Sequence, residues 1–148
     1  MSNIAETAIT TNAKIGEGTR VWHYANLYDC EIGKNCTIGS YAEIGRGVTI
    51  GDNCKIESGA FIPPGVVIGN NVFVGPHAVF TNDKKPKIGA EWEPSNTYVK
   101  DGASIGANAT IVCGITINEN ALIGAGAVVT KDVQAGKTVV GNPAKVLE

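Results

Sequence analysis

Residues 32–56 read IGKNCTIGSYAEIGRGVTIGDNCKI, and in this stretch a large branched side chain returns at every sixth place: Ile32, Ile38, Ile44, Ile50 and Ile56. The count runs on through Ile62, Ile68, Val74 and Phe80. It resumes after a gap as Val99, Ile105, Ile111, Ile117, Ile123 and Val129. Upstream it holds at Ile9, Ile15, Val21 and Leu27, with a single five-residue step between Leu27 and Ile32. Two places before the anchors stands a smaller set that includes Ala25, Cys30, Cys36, Ala42, Cys54, Ala60, Ala103, Ala109 and Ala121. Six residues advance a helix about 600°, which is not a whole number of turns, so no helix keeps this pattern on one face. Six is even, so a strand keeps it, each anchor pointing to the same side. The sequence therefore predicts an all-β chain of short strands joined by bends. Glycine after many anchors, with Asn and Asp nearby, supplies the backbone freedom the bends require. Three such sides make a coil of about eighteen residues, and coils stack by parallel pairing into a prism. A β-sandwich of hairpins would space its strands irregularly, by about 8 to 12 residues.

Composition sets the outer limits. With 148 residues and 43% hydrophobic content the chain is expected to be one domain, 1–148, with a continuous core. A formal charge of −2 argues against nucleic acid or a membrane surface as partner. No apolar run approaches the ~20 residues of a membrane span, and the opening MSNIAETAIT has no charged-then-apolar leader pattern. Cys30, Cys36 and Cys54 fill the small inward slot that Ala fills elsewhere, so they read as reduced core residues. A cytoplasmic location is the corresponding expectation.

The period fails in residues 75–106, GPHAVFTNDKKPKIGAEWEPSNTYVKDGASIG. The segment 83–98 carries Pro86, Pro94, Gly89 and three lysines, which an inward-facing strand does not tolerate. It is expected to be a loop extruded from the prism. From Phe80 to Val99 is nineteen residues, one more than three repeats, which predicts that the chain leaves the coil and returns nearly in phase. A smooth prism has its backbone occupied by strand pairing, so a projecting loop is where a pocket can be built.

The quoted stretch, together with IGANATIVCGITINENALIGAGAVVTKDV (105–133) and VVGNPAKVL (139–147), resembles the hexapeptide-repeat acyltransferases over nearly the whole chain. The resemblance implies a left-handed parallel β-helix. GAGAVVTKDVQAGKTVVGNPAKVL (124–147) is similar to the segment with which such enzymes hold coenzyme A, so 130–148 is expected to close over the cofactor. RVWHYANL (20–27), GPHAVFTND (75–83) and GASIGANATIVCG (102–114) resemble the members that N-acetylate nucleotide-linked amino sugars for surface polysaccharides. The implied activity is acetyl-CoA-dependent N-acetylation of a UDP- or dTDP-linked amino sugar. The implied assembly is a homotrimer with the cofactor between subunits.

Amine attack on a thioester needs orientation and donors to the developing oxyanion more than a strong base. In similar enzymes the residue matching Asn82 holds the amine and a backbone N–H receives the thioester oxygen. Asn82 accepts from the amine but cannot take its proton, which leaves Asp83 as a second candidate. His77 reads either as a turn cap or as a site residue, and His23, with Tyr24, either as a packed edge or as a substrate contact. Spacing puts the two histidines near one corner but three coils apart, about 14 Å at the usual strand separation. Lys84 and Lys87 read as contacts to the substrate diphosphate or as solubilising charge. In the relatives the "FTN" is followed by an aromatic-rich stretch and Pro-Arg, so Lys87 stands where Arg is expected. For the cofactor, Ala107, Ala125, Gly126 and Ala127 are small enough to admit an extended pantetheine arm, and Lys131 and Lys145 suit its phosphates. Gly141 and Pro143 belong to the closing motif. No metal is expected, since a carbonic-anhydrase-like cage needs three His per zinc and the chain has two.

Two other functions compete. One is O-acetylation of a sugar or serine hydroxyl with His77 or His23 as the base. The other is a non-catalytic helix presenting a flat repetitive face to a partner, which calls for ranks of identical outward residues. The outward Glu31, Tyr41, Lys55 and Asn70 are mixed.

Overall fold

The computed structural model describes residues 1–148 as a parallel β-solenoid of about eight turns with no helix. Its strands are two or three residues long and fall into three sheets of nine, seven and six strands, each sheet one face of a triangular prism. Each turn visits the faces in order. Arg20–Val21 lies on the first face, Asn26–Tyr28 on the second and Glu31–Ile32 on the third, and Thr37–Ile38 then returns to the first, beside Arg20–Val21.

The six-residue period appears in the register. On the first face Val21 pairs with Ile38, Ile38 with Ile56, Ile56 with Val74, Val74 with Ile105 and Ile105 with Ile123. Each anchor therefore rests on its equivalent one turn away, and 34 buried residues form one continuous core. Burying each such side chain contributes about 1.5–3 kcal/mol, which strands this short cannot obtain from their own pairing. The four cysteines are free and buried. The two buried polar residues are both satisfied. The Thr19 hydroxyl donates to the Gly33 carbonyl (2.7 Å) and accepts from the Cys36 N–H (3.0 Å), while that of Thr97 accepts from the Gly114 N–H (3.2 Å).

The extruded loop is present, with two differences from the sequence reading. It runs from 81 to 96, because the chain re-enters as the three-residue strand Thr97–Val99. Thr97 is fully enclosed and pairs with Val66, filling with a threonine the slot that Cys30 or Val48 fills elsewhere. The nineteen-residue span from Phe80 to Val99 also replaces one bend and not three sides: Val79–Phe80 is on the second face and Thr97–Val99 on the third face of the same turn. The last turn closes differently from the others. Thr138–Val140 continues the first face, residues 141–144 turn beneath Val128, and Lys145–Val146 doubles back antiparallel on Val139 and Val140.

Candidate active site

Three columns of bends run the length of the prism, and the column between the first and second faces gathers most of the residues singled out from the sequence. Down this corner lie His23 and Tyr24, then Tyr41, Gly59, His77, Ala107 with Asn108, Ala125 with Gly126, and the closing turn with Gly141 and Pro143. His23 and His77 are three turns apart, as the spacing predicts. One bend position on this corner holds the left-handed backbone at Tyr24 (φ 63°), Tyr41 (φ 61°), Gly59 (φ 72°), His77 (φ 56°), Asn108 (φ 59°) and Gly126 (φ 70°). Elsewhere in the solenoid that conformation falls to Gly, Asn and Asp, which tolerate it. Three exposed rings are thus held on this corner at a conformational cost, a pattern associated with functional positions.

The rings are ordered by one another. Tyr24 and Tyr41 stack with centroids 5.3 Å apart and planes at 19°. His23 Nδ1 is 2.7 Å from the Thr7 hydroxyl. His77 is solvent-exposed; its N–H donates to the Ser58 carbonyl at 3.0 Å, and its imidazole lies over Gly59 in the space a Cβ there would need. Sequence reading missed Tyr41 and Gly59. The available signal was the appearance of rings where the repeat otherwise places Asn or Gly.

Next to His77 the corner offers donors. The N–H groups of Ala107 and Ala125 find no acceptor within the chain, and these side chains are too small to cover them. The corner between the third and first faces differs. There the Asp52, Asn70 and Asp101 carboxyl or amide oxygens accept the equivalent N–H groups of Lys34, Asp52 and Asn70 at 2.7–2.8 Å. The equivalent N–H groups left open at that corner are on Glu17, Asp101, Glu119 and Ala135, three of the four on acidic residues and the fourth alone at the last turn. An extended, hydrogen-bonding anion is therefore better received at Ala107 and Ala125. Gly126 is exposed and donates to the Ala107 carbonyl (2.8 Å). Ala127 is completely enclosed, its N–H donating to the Gly124 carbonyl and its carbonyl accepting from Thr110, so it contributes room beside the strand and no contact of its own.

Asn82, Asp83, Lys84 and Lys87 lie elsewhere, on the loop at the corner between the second and third faces. The strand Val79–Phe80 separates Asn82 from His77 by about 15 Å along the face, so one chain does not bring them into a single site. Asn82 Nδ2 donates to the Pro64 carbonyl (3.2 Å), and its backbone carbonyl accepts from Trp92 Nε1 (2.9 Å), which leaves its amide oxygen free to accept. Asp83 Oδ1 accepts from the Lys85 N–H (2.9 Å). The ammonium end of Lys84 lies over Gly114, and Lys87 is exposed beside the fully exposed Ile88. Lys131 and Lys145 line one depression of about 260 Å3 at the closing end of the prism, with Asp132 and Ala144. No trio of His, Cys, Asp or Glu is arranged to hold a metal ion.

Residues 12–46, 47–82 and 96–131 match the model of the bacterial transferase hexapeptide repeat (six repeats). No curated protein matches the chain by sequence. Among solved structures, the chain is similar to the acetyltransferase domain of PglB from Neisseria gonorrhoeae in complex with acetyl coenzyme A (24% identity, TM-score 0.70, 99% of this chain and 57% of that one). It is also similar to GDP-perosamine N-acetyl transferase from Caulobacter crescentus in complex with CoA and GDP-perosamine (21%, TM-score 0.63, 100% and 57%). A third similar structure is AntD, an N-acyltransferase from Bacillus cereus in complex with dTDP and 3-hydroxybutyryl-CoA (16%, TM-score 0.68, 99% and 79%). At these identities the likeness is one of fold, and the chain spans a little over half the length of the first two.

Proposed function

The chain belongs to the bacterial transferase hexapeptide family, and we propose that it is an acetyl-CoA-dependent N-acetyltransferase acting on the amino group of a UDP- or dTDP-linked sugar. The observation that carries this reading is the pair of open N–H groups at Ala107 and Ala125, directly beyond His77 on a corner lined with small residues. Acyl-CoA and nucleotide ligands bound in the similar structures support it. The pantetheine arm runs down the corner past Ala107, Ala125 and Gly126, with Gly141 and Pro143 at its far end and Lys131 and Lys145 available to its phosphates. One open N–H, that of Ala107, faces the thioester oxygen as it gains charge.

The reaction then asks little of the side chains. The sugar nitrogen, as free amine, forms the new C–N bond; the C–S bond breaks, and the proton lost by nitrogen neutralises the departing thiolate. His77 orients the acceptor beside the thioester. Asn82 accepts from the amine through its free amide oxygen, and because it stands on another corner it does so in the site of a neighbouring copy. The proposal therefore includes a homotrimer whose loops complete one another's sites. Incubation with acetyl-CoA and a panel of UDP- and dTDP-linked amino sugars, followed by release of free thiol, tests the reading. Thiol release with an amino sugar supports it, and no release with any member of the panel contradicts it.

A further inference from the structure

A trough of about 660 Å3 crosses the outer surface of the first face. The turn carrying Thr37–Ile38 and Gly39 forms its floor, and the turns on either side form its walls: Arg20 and Trp22 on one, Lys55 and Glu57 on the other. Walls two turns apart leave a channel about 10 Å across between backbones, and its run from Asn35 to Ser40 is about 16 Å long. Both dimensions suit a slender, extended ligand better than a compact one.

The chemistry along this channel is graded. Asn35 stands at the start, at the corner between the third and first faces. In the middle, Arg20 and Lys55 flank Thr37 from opposite walls, so two cations face each other across one hydroxyl. Lys55 is held by Glu57 (3.2 Å), while Arg20 has no acidic partner and its guanidinium carbon stands 5.4 Å from the centre of the Trp22 ring. A guanidinium ordered on an aromatic face keeps its planar donor edge free for phosphate oxygens. At the far end Trp22, Ser40, Ser58 and the Glu57 carboxylate make an edge of ring, hydroxyls and acceptor, which suits a pyranose. That end opens on the corner of the site, because Ser58 accepts the His77 N–H.

We propose that this trough seats the nucleoside diphosphate of the acceptor, with the base at Asn35, the diphosphate between Arg20 and Lys55, and the sugar over Trp22 with its amine toward His77. The inference rests on the reading of the chain as a transferase for nucleotide-linked sugars and places the substrate that reading requires. The loop is the weaker seat, because Lys84, Lys85 and Lys87 share it with Asp83, Glu91 and Glu93 and its charges cancel.

Calorimetric titration of UDP and of dTDP tests the assignment on the wild-type protein, Arg20→Ala, Thr37→Glu and, as a cation removed outside the trough, Lys14→Ala. All three positions are on outer faces, and far-UV circular dichroism checks their folding. At least one nucleotide should bind wild type and Lys14→Ala alike. Affinity should fall about tenfold or more in Arg20→Ala, the expected loss for a charged hydrogen bond, and further in Thr37→Glu. Absence of binding to wild type, or wild-type affinity in Arg20→Ala and Thr37→Glu, overturns the trough. Acetyl transfer measured on the same samples separates the two ideas. Transfer with an unchanged acceptor KM in Arg20→Ala overturns the trough and leaves the transferase standing. Arg20-dependent nucleotide binding without transfer to any amino sugar sustains the trough and overturns the transferase.

Discussion

The imidazole of His77 lies over Gly59, one turn earlier on the same corner, in the space that a side chain on Gly59 would occupy. Gly59 also holds φ at +72°, which a substituted residue adopts only with strain. Gly59→Ala should therefore cost about 1–2 kcal/mol of stability and displace the His77 ring. The acceptor KM should rise several-fold while that for acetyl-CoA stays close to wild type. An unchanged acceptor KM would show that the ring position is immaterial.

Removing the histidines distinguishes the two transfer chemistries. An alcohol must surrender its proton as it attacks, so an O-acetyltransferase is crippled without its base, whereas an amine that arrives deprotonated is not. His77→Ala and His23→Ala should each retain measurable N-acetylation, with losses mainly in acceptor affinity. The rate should rise with pH along a limb set by the sugar ammonium, and both variants should keep that limb. Loss of the limb in either variant would assign the proton transfer to that histidine.

Asn82 has its amide nitrogen committed to the Pro64 carbonyl and its amide oxygen free. If that oxygen holds the amine in the transition state, Asn82→Ala should cost about 2–4 kcal/mol, or roughly 30- to 1000-fold in turnover, with little change in acetyl-CoA binding. Asp83→Ala, losing a contact to the Lys85 N–H, should be far milder. The opposite ranking would move the proton-accepting role to Asp83.

These expectations show how unevenly the molecule could be read from its sequence. The period of six is a direct imprint of stacking, since each of Ile32, Ile38, Ile44 and Ile50 must face inward for its turn to be buried. The coil count that follows from the period was enough to put His23 and His77 on one corner three turns apart. Thr97 escaped because a buried threonine looks like a loop residue until the Gly114 N–H it satisfies is seen. The separation of Asn82 from His77 was within reach of the period, since the side Val79–Phe80 stands between them. What the sequence hid is where the loop returns, because a nineteen-residue step fits three sides as well as one bend, and only the pairing of Thr97–Val99 with Val66–Ile68 decides. The trough escaped for a related reason: Arg20, Thr37 and Lys55 are seventeen and eighteen residues apart and form no local motif.

Cys30 gives the fold a dependence on alkaline pH. Burial pushes its thiol from 9.0 up to about 11. A raised value in the folded state means that its contribution is intact below pH 9 and is lost as pH climbs through about 11. The loss across that window should be about 2–3 kcal/mol. Urea unfolding followed from pH 8 to 11 should show the decline, and Cys30→Ala, which places in this slot the residue found at Ala13 one turn earlier, should make it shallower, leaving the share of Cys54 and Tyr28, whose values are also raised. Parallel curves for the two proteins would remove Cys30 as the cause.

In the proposed reaction the acetyl group goes to nitrogen, and the bond in the product is the most direct thing to measure. UDP- and dTDP-linked amino sugars and their hydroxyl counterparts would be incubated with the protein and acetyl-CoA. The products would then be treated with alkaline hydroxylamine, which cleaves acetate esters and spares amides. N-transfer should give an acetylated amino sugar whose acetyl group survives the treatment, and no product from the hydroxyl counterparts. A hydroxylamine-labile ester formed on a hydroxyl sugar, with every amino sugar left unmodified, would contradict it.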